Sequence, residues 1–164
     1  MDDMARKRPF SANDYADWFI NMTDRSSGEV ITPLMVQRLL YFAQAWHLAN
    51  KGRPLFTEEF EAWATGPVIR SVFERFQYAS FECLPFIDNA REIAGEKLEL
   101  LEAVREEYAC YQPTKLDTLS QESGGPWEQA RGKRAPEAAC DTIITKDAMK
   151  RFYGAQIGKS WEKQ

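Results

Sequence analysis

The sequence predicts a mainly α-helical, compact single domain built around one central apolar helix. A chain of 164 residues is long enough to bury one core. Its longest apolar stretch, about residues 33–50, has the spacing and the end signals of a helix. Extended patterning is confined to residues 57–64. We therefore expect residues 1–164 to form one domain, with at most a small β element near 57–64 and a flexible segment at 1–10.

The first predicted helix begins after Ser11, a favourable N-cap residue that is followed three positions later by Asp14. Apolar side chains then recur at helical spacing at Tyr15, Trp18, Phe19 and Met22. The polar run at residues 24–29 ends the pattern and predicts a loop.

The central helix has the clearest signals. Thr32 is a suitable N-cap, Pro33 occupies the first helical position, and Gly52 follows the last apolar residues. The stretch between them is apolar on nearly every side, and Gln37 and Gln44 mark a narrow polar edge. A helix of this kind belongs at the centre of a bundle.

Residues 57–64 have too few helical matches and are predicted to be extended. In such a strand Glu59 and Glu61 share one face, opposite Phe60 and Ala62. This pattern favours a half-buried strand over a pair of catalytic carboxylates for glycoside chemistry.

After the extended segment, Gly66 allows a turn and Pro67 is expected to start the next helix. Five to seven helices are expected in all, with the later ones at residues 97–111 and 114–121, from Pro126, and after a Thr145 cap.

Composition argues against several classes of function. A net charge of -4 and a pI near 5.2 give no general attraction to nucleic acid or anionic lipid. Cys83, Cys110 and Cys140 have no metal or redox spacing and are expected to be reduced thiols. With no apolar signal region or membrane-length run, we expect a cytoplasmic protein without metal or cofactor.

Candidate catalytic groups are few, and we expect no enzyme and no catalytic residues. His47 is the only histidine and lies on the flank of the central helix, where a hydrogen-bonded core role is the more common one. A hydrolase that pairs His47 with a carboxylate or a cysteine stays open as an alternative, because such partners meet only in space.

Two basic clusters could contact phosphates: residues 6–8 (Arg-Lys-Arg), and the group of Arg131, Lys133 and Arg134. In an acidic chain without a helix-turn-helix signal, we interpret both as solvated segments and do not expect a nucleic-acid partner. A DNA-binding regulator of its own operon remains an alternative.

The middle of the chain resembles the Panacea domain of SocA-like antitoxins, a bacterial family that includes phage-associated GepA-type proteins. The matching motifs lie in residues 34–76: "LLYFAQAWHLA", then Gly52 with "PLF", then "EAW" and "GPV". Weaker matches are "LSQESGGPW" and "KDAMKRFY". One departure is visible, because family members often carry a His before the Pro-Trp pair, where this chain has Gln121, Glu122 and Ser123.

The resemblance implies a mainly helical antitoxin of a type II-like toxin–antitoxin system that neutralises a protein toxin encoded beside it by direct binding. Partner toxins in this family are of unrelated types. The resemblance also implies a second mode, in which the antitoxin is an adaptor that delivers its toxin to an AAA+ protease.

The residues singled out in the sequence fall into two groups. Positions expected to build the frame are Trp46, His47, Glu61, Trp63, Gly66, Pro67 and Trp127. Within it, Trp46 and His47 are expected to support a corner formed by Trp63, Gly66 and Pro67. Trp, Tyr and Arg supply most hot spots in protein interfaces. The candidates for partner contact are expected at less motif-like places: Phe10 and Tyr15 in the N-terminal segment, and Phe152 and Tyr153 in the last helix.

Overall fold

A computed structural model describes residues 8–80 and 82–162, with side chains to residue 157. Over these residues the chain forms seven α-helices, two short 3-10 turns and one small sheet. The elements are α1 Ala12–Asn21, α2 Pro33–Lys51, β1 Phe60–Trp63, β2 Gly66–Val68, α3 Arg70–Phe76, α4 Gly95–Tyr108, α5 Pro113–Ser120, α6 Pro126–Arg131, β3 Ile143–Ile144 and α7 Lys146–Glu162. The mainly α prediction is confirmed. Most of the segment expected to be flexible, residues 1–7, lies outside the described residues.

The predicted central helix is α2. The Thr32 hydroxyl accepts a hydrogen bond from the Met35 N–H at 3.3 Å, and Pro33 is the first helical residue. Gly52 ends the helix with a φ of 76°, a conformation that glycine adopts without strain. Helices α1, α3, α4, α5 and α7 all pack against α2, so it forms the centre of the core, as the sequence predicts.

The N-terminus of α1 is fixed by three side chains. Ser11 and Asp14 form the predicted capping box, in which the Asp14 carboxylate accepts from the Ser11 N–H at 2.9 Å. Glu58 accepts a hydrogen bond from the Ala12 N–H at 2.6 Å. Carboxylates at this end of a helix are stabilised by the helix dipole. The contact with Glu58 ties α1 to the segment that leads into the sheet.

The sheet is antiparallel with the strand order β2-β1-β3. Strand β1 lies within the predicted segment 57–64, and its burial alternates as expected, with Phe60 and Ala62 in the core. Strands β2 and β3 were not predicted. Pro67 does not start a helix: it lies in β2 opposite Ala62, and α3 begins only at Arg70.

The two glutamines of α2 are fully or nearly fully buried, so their prediction as a polar edge is wrong. The Gln37 amide accepts from the Ile69 N–H at 2.9 Å and donates to the Ile69 carbonyl at 3.1 Å. The Gln44 amide accepts from the Leu55 N–H at 2.7 Å and donates to the Phe56 carbonyl at 2.8 Å. Each side chain therefore satisfies main-chain groups that a neighbouring strand would otherwise pair.

The later helices lie near their predicted positions with shifted ends. Helix α4 covers Gly95–Tyr108 rather than 97–111, and Pro113 starts α5 as well as following α4. Helix α6 begins at Pro126 as predicted. The Thr145 hydroxyl accepts from the Ala148 N–H at 3.1 Å, which confirms it as the cap of the last helix.

Candidate partner-binding surface

The β1–β2 hairpin presents Trp63 at its tip. In the register of the hairpin Trp63 lies opposite Gly66, so the chain reverses over Ala64 and Thr65. Because Phe60 and Ala62 face the core, the alternation of a strand places Glu61 and Trp63 on the outer face. Both outer side chains are partly buried rather than freely solvated.

Arg38, a buried arginine of α2, fixes this turn from the side of the core. Arg38 is 1% exposed and donates to the Pro67 carbonyl at 2.7 Å, to the Thr65 carbonyl, and to the Asp117 carboxylate at 2.9 Å. Burial lowers the pKa of the Arg38 guanidinium, and the negative charge of Asp117 opposes that effect. The guanidinium thus pairs with one charge and two main-chain carbonyls, as a buried cation must.

Gly66 is required by the same contact. Its φ is 125°, which side-chain-bearing residues rarely adopt, and a Cβ at this position would collide with the Arg38 guanidinium. Sequence reasoning identified Gly66 but not Arg38, which lies within an otherwise apolar helix. A charged residue in such a helix was the available signal for a buried polar contact.

The Trp63 ring is held by its neighbours on the outer face. Its indole N–H donates to the Glu61 carboxylate at 3.1 Å, and the Phe73 ring packs edge-on at 4.8 Å between centroids. The Arg70 guanidinium lies 5.3 Å from the centre of the Trp63 ring and donates to both Glu61 oxygens, at 2.8 and 3.0 Å. The hydrogen bonds from Arg70 and then from Trp63 hold the pKa of Glu61 below its ordinary value.

Trp63 lines two grooves. The first has a volume of about 440 Å³ and is mainly apolar, with Leu34, Val68, Val72 and Phe73 among its lining residues. The second has a volume of about 640 Å³ and is lined by Trp63, Ala64, Thr65, Arg70, Glu137, Ala139, Cys140 and Asp141. We call Trp63, Arg70, Phe73 and these two grooves the Trp63 surface.

The second groove is lined on one side by a loop that Arg131 holds in place. Arg131 is 3% exposed and donates to the Ala62 carbonyl at 2.8 Å. The same guanidinium donates to three carbonyls of the loop, those of Ala135, Pro136 and Ala138, at 2.7 to 3.2 Å. The prediction that Arg131 belongs to a solvated basic cluster is therefore wrong. Lys133 and Arg134 are exposed.

Trp127 joins α6 to the hairpin. Its indole N–H donates to the Trp63 carbonyl at 2.8 Å, and the Arg131 guanidinium lies 5.0 Å from the centre of its ring. Trp127 is 9% exposed. Trp63 is therefore positioned through its main chain by α6 and through its side chain by Glu61 and Phe73.

Trp46 and His47 support a different region from the one expected. The Trp46 indole N–H donates to the Tyr108 hydroxyl at 2.7 Å, and the His47 Nδ1 lies 2.6 Å from the Arg53 carbonyl oxygen. The hairpin corner is held by Arg38 and Gln37 instead, about two to three helical turns earlier on α2. Burial lowers the pKa of His47, which favours its neutral form.

The four residues proposed as partner contacts differ in exposure. Tyr15 is 0% and Tyr153 is 3% exposed, whereas Phe10 and Phe152 are half-buried. The Phe10 ring lies 4.0 Å from the Arg91 guanidinium carbon, and Phe152 packs edge-on against Tyr153. A partner could contact the rings of Tyr15 and Tyr153 only after the surrounding chain had moved.

Two further properties concern the part of the chain that the structure describes. Nowhere in it do three or more His, Cys, Asp or Glu side chains gather as metal ligands. None of its helices has both the length and the apolar character needed to cross a bilayer.

Comparison with known proteins assigns the family. The model of the family described as "Antitoxin SocA-like, Panacea domain" matches residues 36–128, more than half of the chain and including the β1–β2 hairpin. Antitoxin SocA from Caulobacter vibrioides is 50% identical over 46 residues, which are 28% of this chain. The matched segment spans about a quarter (24%) of that relative's length. No solved structure matches. The chain belongs to the SocA-like antitoxin family that is defined by the Panacea domain.

Proposed function

We propose that this protein is an antitoxin that neutralises a cognate protein toxin by direct binding, and that the Trp63 surface forms the contact. Membership of the SocA-like antitoxin family carries the first part of the proposal. It implies a toxin partner without identifying it. The second part rests on the chemistry and rigidity of the surface.

The Trp63 surface has the composition of an interface centre. Tryptophan and arginine are the residues most enriched among those that dominate binding energy, and Trp63 and Arg70 lie in contact here. Phe73 is 40% exposed beside them, and the apolar groove continues the patch. An exposed apolar area rimmed by charged groups is typical of a protein-binding site.

The surface is also organised before binding. Glu61, Phe73 and Arg70 hold the Trp63 ring, and Arg38 and Trp127 hold the main chain beneath it. A side chain that is already ordered loses little conformational entropy on association, so more of its contact energy contributes to affinity.

The test is growth rescue with matched variants. The gene adjacent to this one is induced in a naive bacterium, alone and together with this protein, and co-purification is measured. Phe73→Ser should weaken binding by about 30-fold or more, because a central aromatic contact contributes about 2 kcal/mol or more. Tyr78→Ser is the control, since Tyr78 is 69% exposed and lines neither groove.

The outcomes separate the mechanisms. Rescue with a stable complex, lost in Phe73→Ser and kept in Tyr78→Ser, supports inhibition by binding at this surface. Rescue in which the toxin disappears only when a host AAA+ protease is present indicates delivery for degradation. Equal rescue by both variants, with both folded by circular dichroism, would place the contact elsewhere. A neighbour that is not toxic would contradict the antitoxin assignment at this locus.

A further inference from the structure

A second concave site lies towards the other end of α2. It is a cleft of about 670 Å³ between residues 8–10, the last turn of α2, residues 53–57 and the start of α4. Small-molecule sites commonly have volumes of about 300–1,000 Å³. His47 and Lys51 line this cleft, whereas Gln37 lines the apolar groove of the Trp63 surface. At 1.5 Å per residue, these positions on α2 are about 15–20 Å apart.

The cleft concentrates positive charge in an acidic protein. Four cationic side chains line it, those of Arg8, Lys51, Arg53 and Lys97, together with one carboxylate, Glu96. The whole chain carries a net charge of -4. Cations that line a concave surface raise the local positive potential and attract small anions.

Two of these cations are already paired. The Lys51 ammonium lies 3.4 Å from the Glu96 carboxylate. Arg8 lies 3.5 Å from Asp14, a carboxylate that is shared with Arg91 at 3.1 Å. The group of Arg8, Arg91 and Asp14 therefore keeps one net positive charge.

The other two cations, Arg53 and Lys97, have no carboxylate partner among the described residues. The Lys97 ammonium lies 5.5 Å from the centre of the Phe10 ring, and both cationic side chains are exposed to solvent within the cleft. A ligand can therefore reach both groups without breaking an ion pair of the free protein.

His47 supplies a reporter inside the cleft. A carbonyl oxygen can only accept, so the 2.6 Å contact with the Arg53 carbonyl assigns the proton of the neutral ring to Nδ1. His47 is the only histidine of the chain. Its ring signals in a nuclear magnetic resonance spectrum of untagged protein therefore report on this cleft alone.

We propose that this cleft binds a small free anion that carries phosphate groups, with Arg53 and Lys97 as the main ligands and Arg8 and Lys51 beside them. Phosphate oxygens accept several charge-assisted hydrogen bonds at once, from a guanidinium in a bidentate manner and from an ammonium as a point charge. The proposal does not depend on the antitoxin role, because the cleft and the Trp63 surface share no lining residue.

The test follows the His47 ring signals while inorganic pyrophosphate is added at constant ionic strength. A saturable shift is expected in the natural protein. The double variant Arg53→Gln with Lys97→Gln should bind about 100-fold more weakly, since each charge-assisted hydrogen bond contributes roughly a factor of ten or more. Lys133→Gln is the matched control, because Lys133 is exposed and outside the cleft, and it should bind like the natural protein.

Four outcomes would overturn the proposal. One is the absence of a saturable shift with pyrophosphate, and another is an equal shift from sodium chloride of the same ionic strength. The third is unchanged affinity in the double variant while circular dichroism shows that it is folded. A response to a phosphoserine peptide but not to pyrophosphate would also overturn the assignment to a free small ligand.

Discussion

Gln44→Leu tests whether a buried side-chain amide holds residues 55–56 against the central helix. Gln44 is 0% exposed and pairs with the Leu55 N–H at 2.7 Å and the Phe56 carbonyl at 2.8 Å. Leucine has a similar volume but can pair with neither group. The substitution therefore leaves the Leu55 N–H and the Phe56 carbonyl, both buried, without their close partner, and it also removes the longer 3.4 Å hydrogen bond from the Phe56 N–H.

The size of the effect follows from these two groups. Each unsatisfied buried group costs about 1–3 kcal/mol, so the pair costs about 4 kcal/mol. The added apolar burial of leucine contributes roughly 1–2 kcal/mol in the opposite direction. The free energy of unfolding should therefore fall by about 2–3 kcal/mol.

Urea denaturation followed by circular dichroism at 222 nm measures this difference. Gln112→Leu is the matched control, because Gln112 is exposed and its side chain forms no hydrogen bond with the described residues. Its stability should change by less than about 0.5 kcal/mol. If Gln44→Leu were as stable as the control, the two main-chain hydrogen bonds would not hold the segment and the reasoning would be refuted.

Three further perturbations are predicted. Gly66→Ala should lower the free energy of unfolding by about 2–4 kcal/mol, because φ is positive and the added methyl group collides with the Arg38 guanidinium. The control Gly132→Ala, at a φ of 63° with no atom within 4 Å of the added methyl group, should lose only about 1 kcal/mol. Equal losses for the two variants in thermal melts would contradict the collision. Burial lowers the pKa of His47, so the unfolded chain binds a proton at this ring more readily than the folded chain does. The free energy of unfolding should therefore fall as the pH drops below the ordinary His pKa of 6.5, and His47→Gln should reduce this fall in urea titrations at several pH values. An unchanged pH dependence in the variant would assign the fall to other groups. Trp46→Phe removes the 2.7 Å hydrogen bond to the Tyr108 hydroxyl and should lower the free energy of unfolding by about 1–2 kcal/mol. If the two side chains are coupled, the same substitution should lower it by less in the Tyr108→Phe background.

The features that sequence reasoning found are those with local causes. The caps at Ser11, Thr32 and Thr145 act over three residues of chain, so the residues themselves show where α1, α2 and α7 begin. The alternation around Phe60 likewise predicts one strand. These signals need no knowledge of what lies on the other side of the core.

The features that sequence reasoning missed depend on partners distant along the chain. Pro67 was expected to start a helix because proline is favoured there, but its carbonyl pairs with Arg38, 29 positions away, and the residue lies in a strand. Arg131 bonds to the Ala62 carbonyl, 69 positions away. Around Arg131 no local pattern distinguishes a buried arginine from a solvated one, so the support that α6 gives to the Trp63 surface could not be predicted. Arg38 differs, because its place in an otherwise apolar helix was a signal of burial.

The buried arginine of α6 has a consequence for how such a protein can diversify. Arg131 holds the loop beside the second groove through the carbonyls of Ala135, Pro136 and Ala138. Every amino acid supplies a carbonyl, so the loop can exchange many of its side chains while its path is kept. Glu137 and Ala139, which line the groove, are therefore open to replacement by mutation or by design. A fixed backbone that carries replaceable side chains is the arrangement by which one scaffold can acquire new binding specificities.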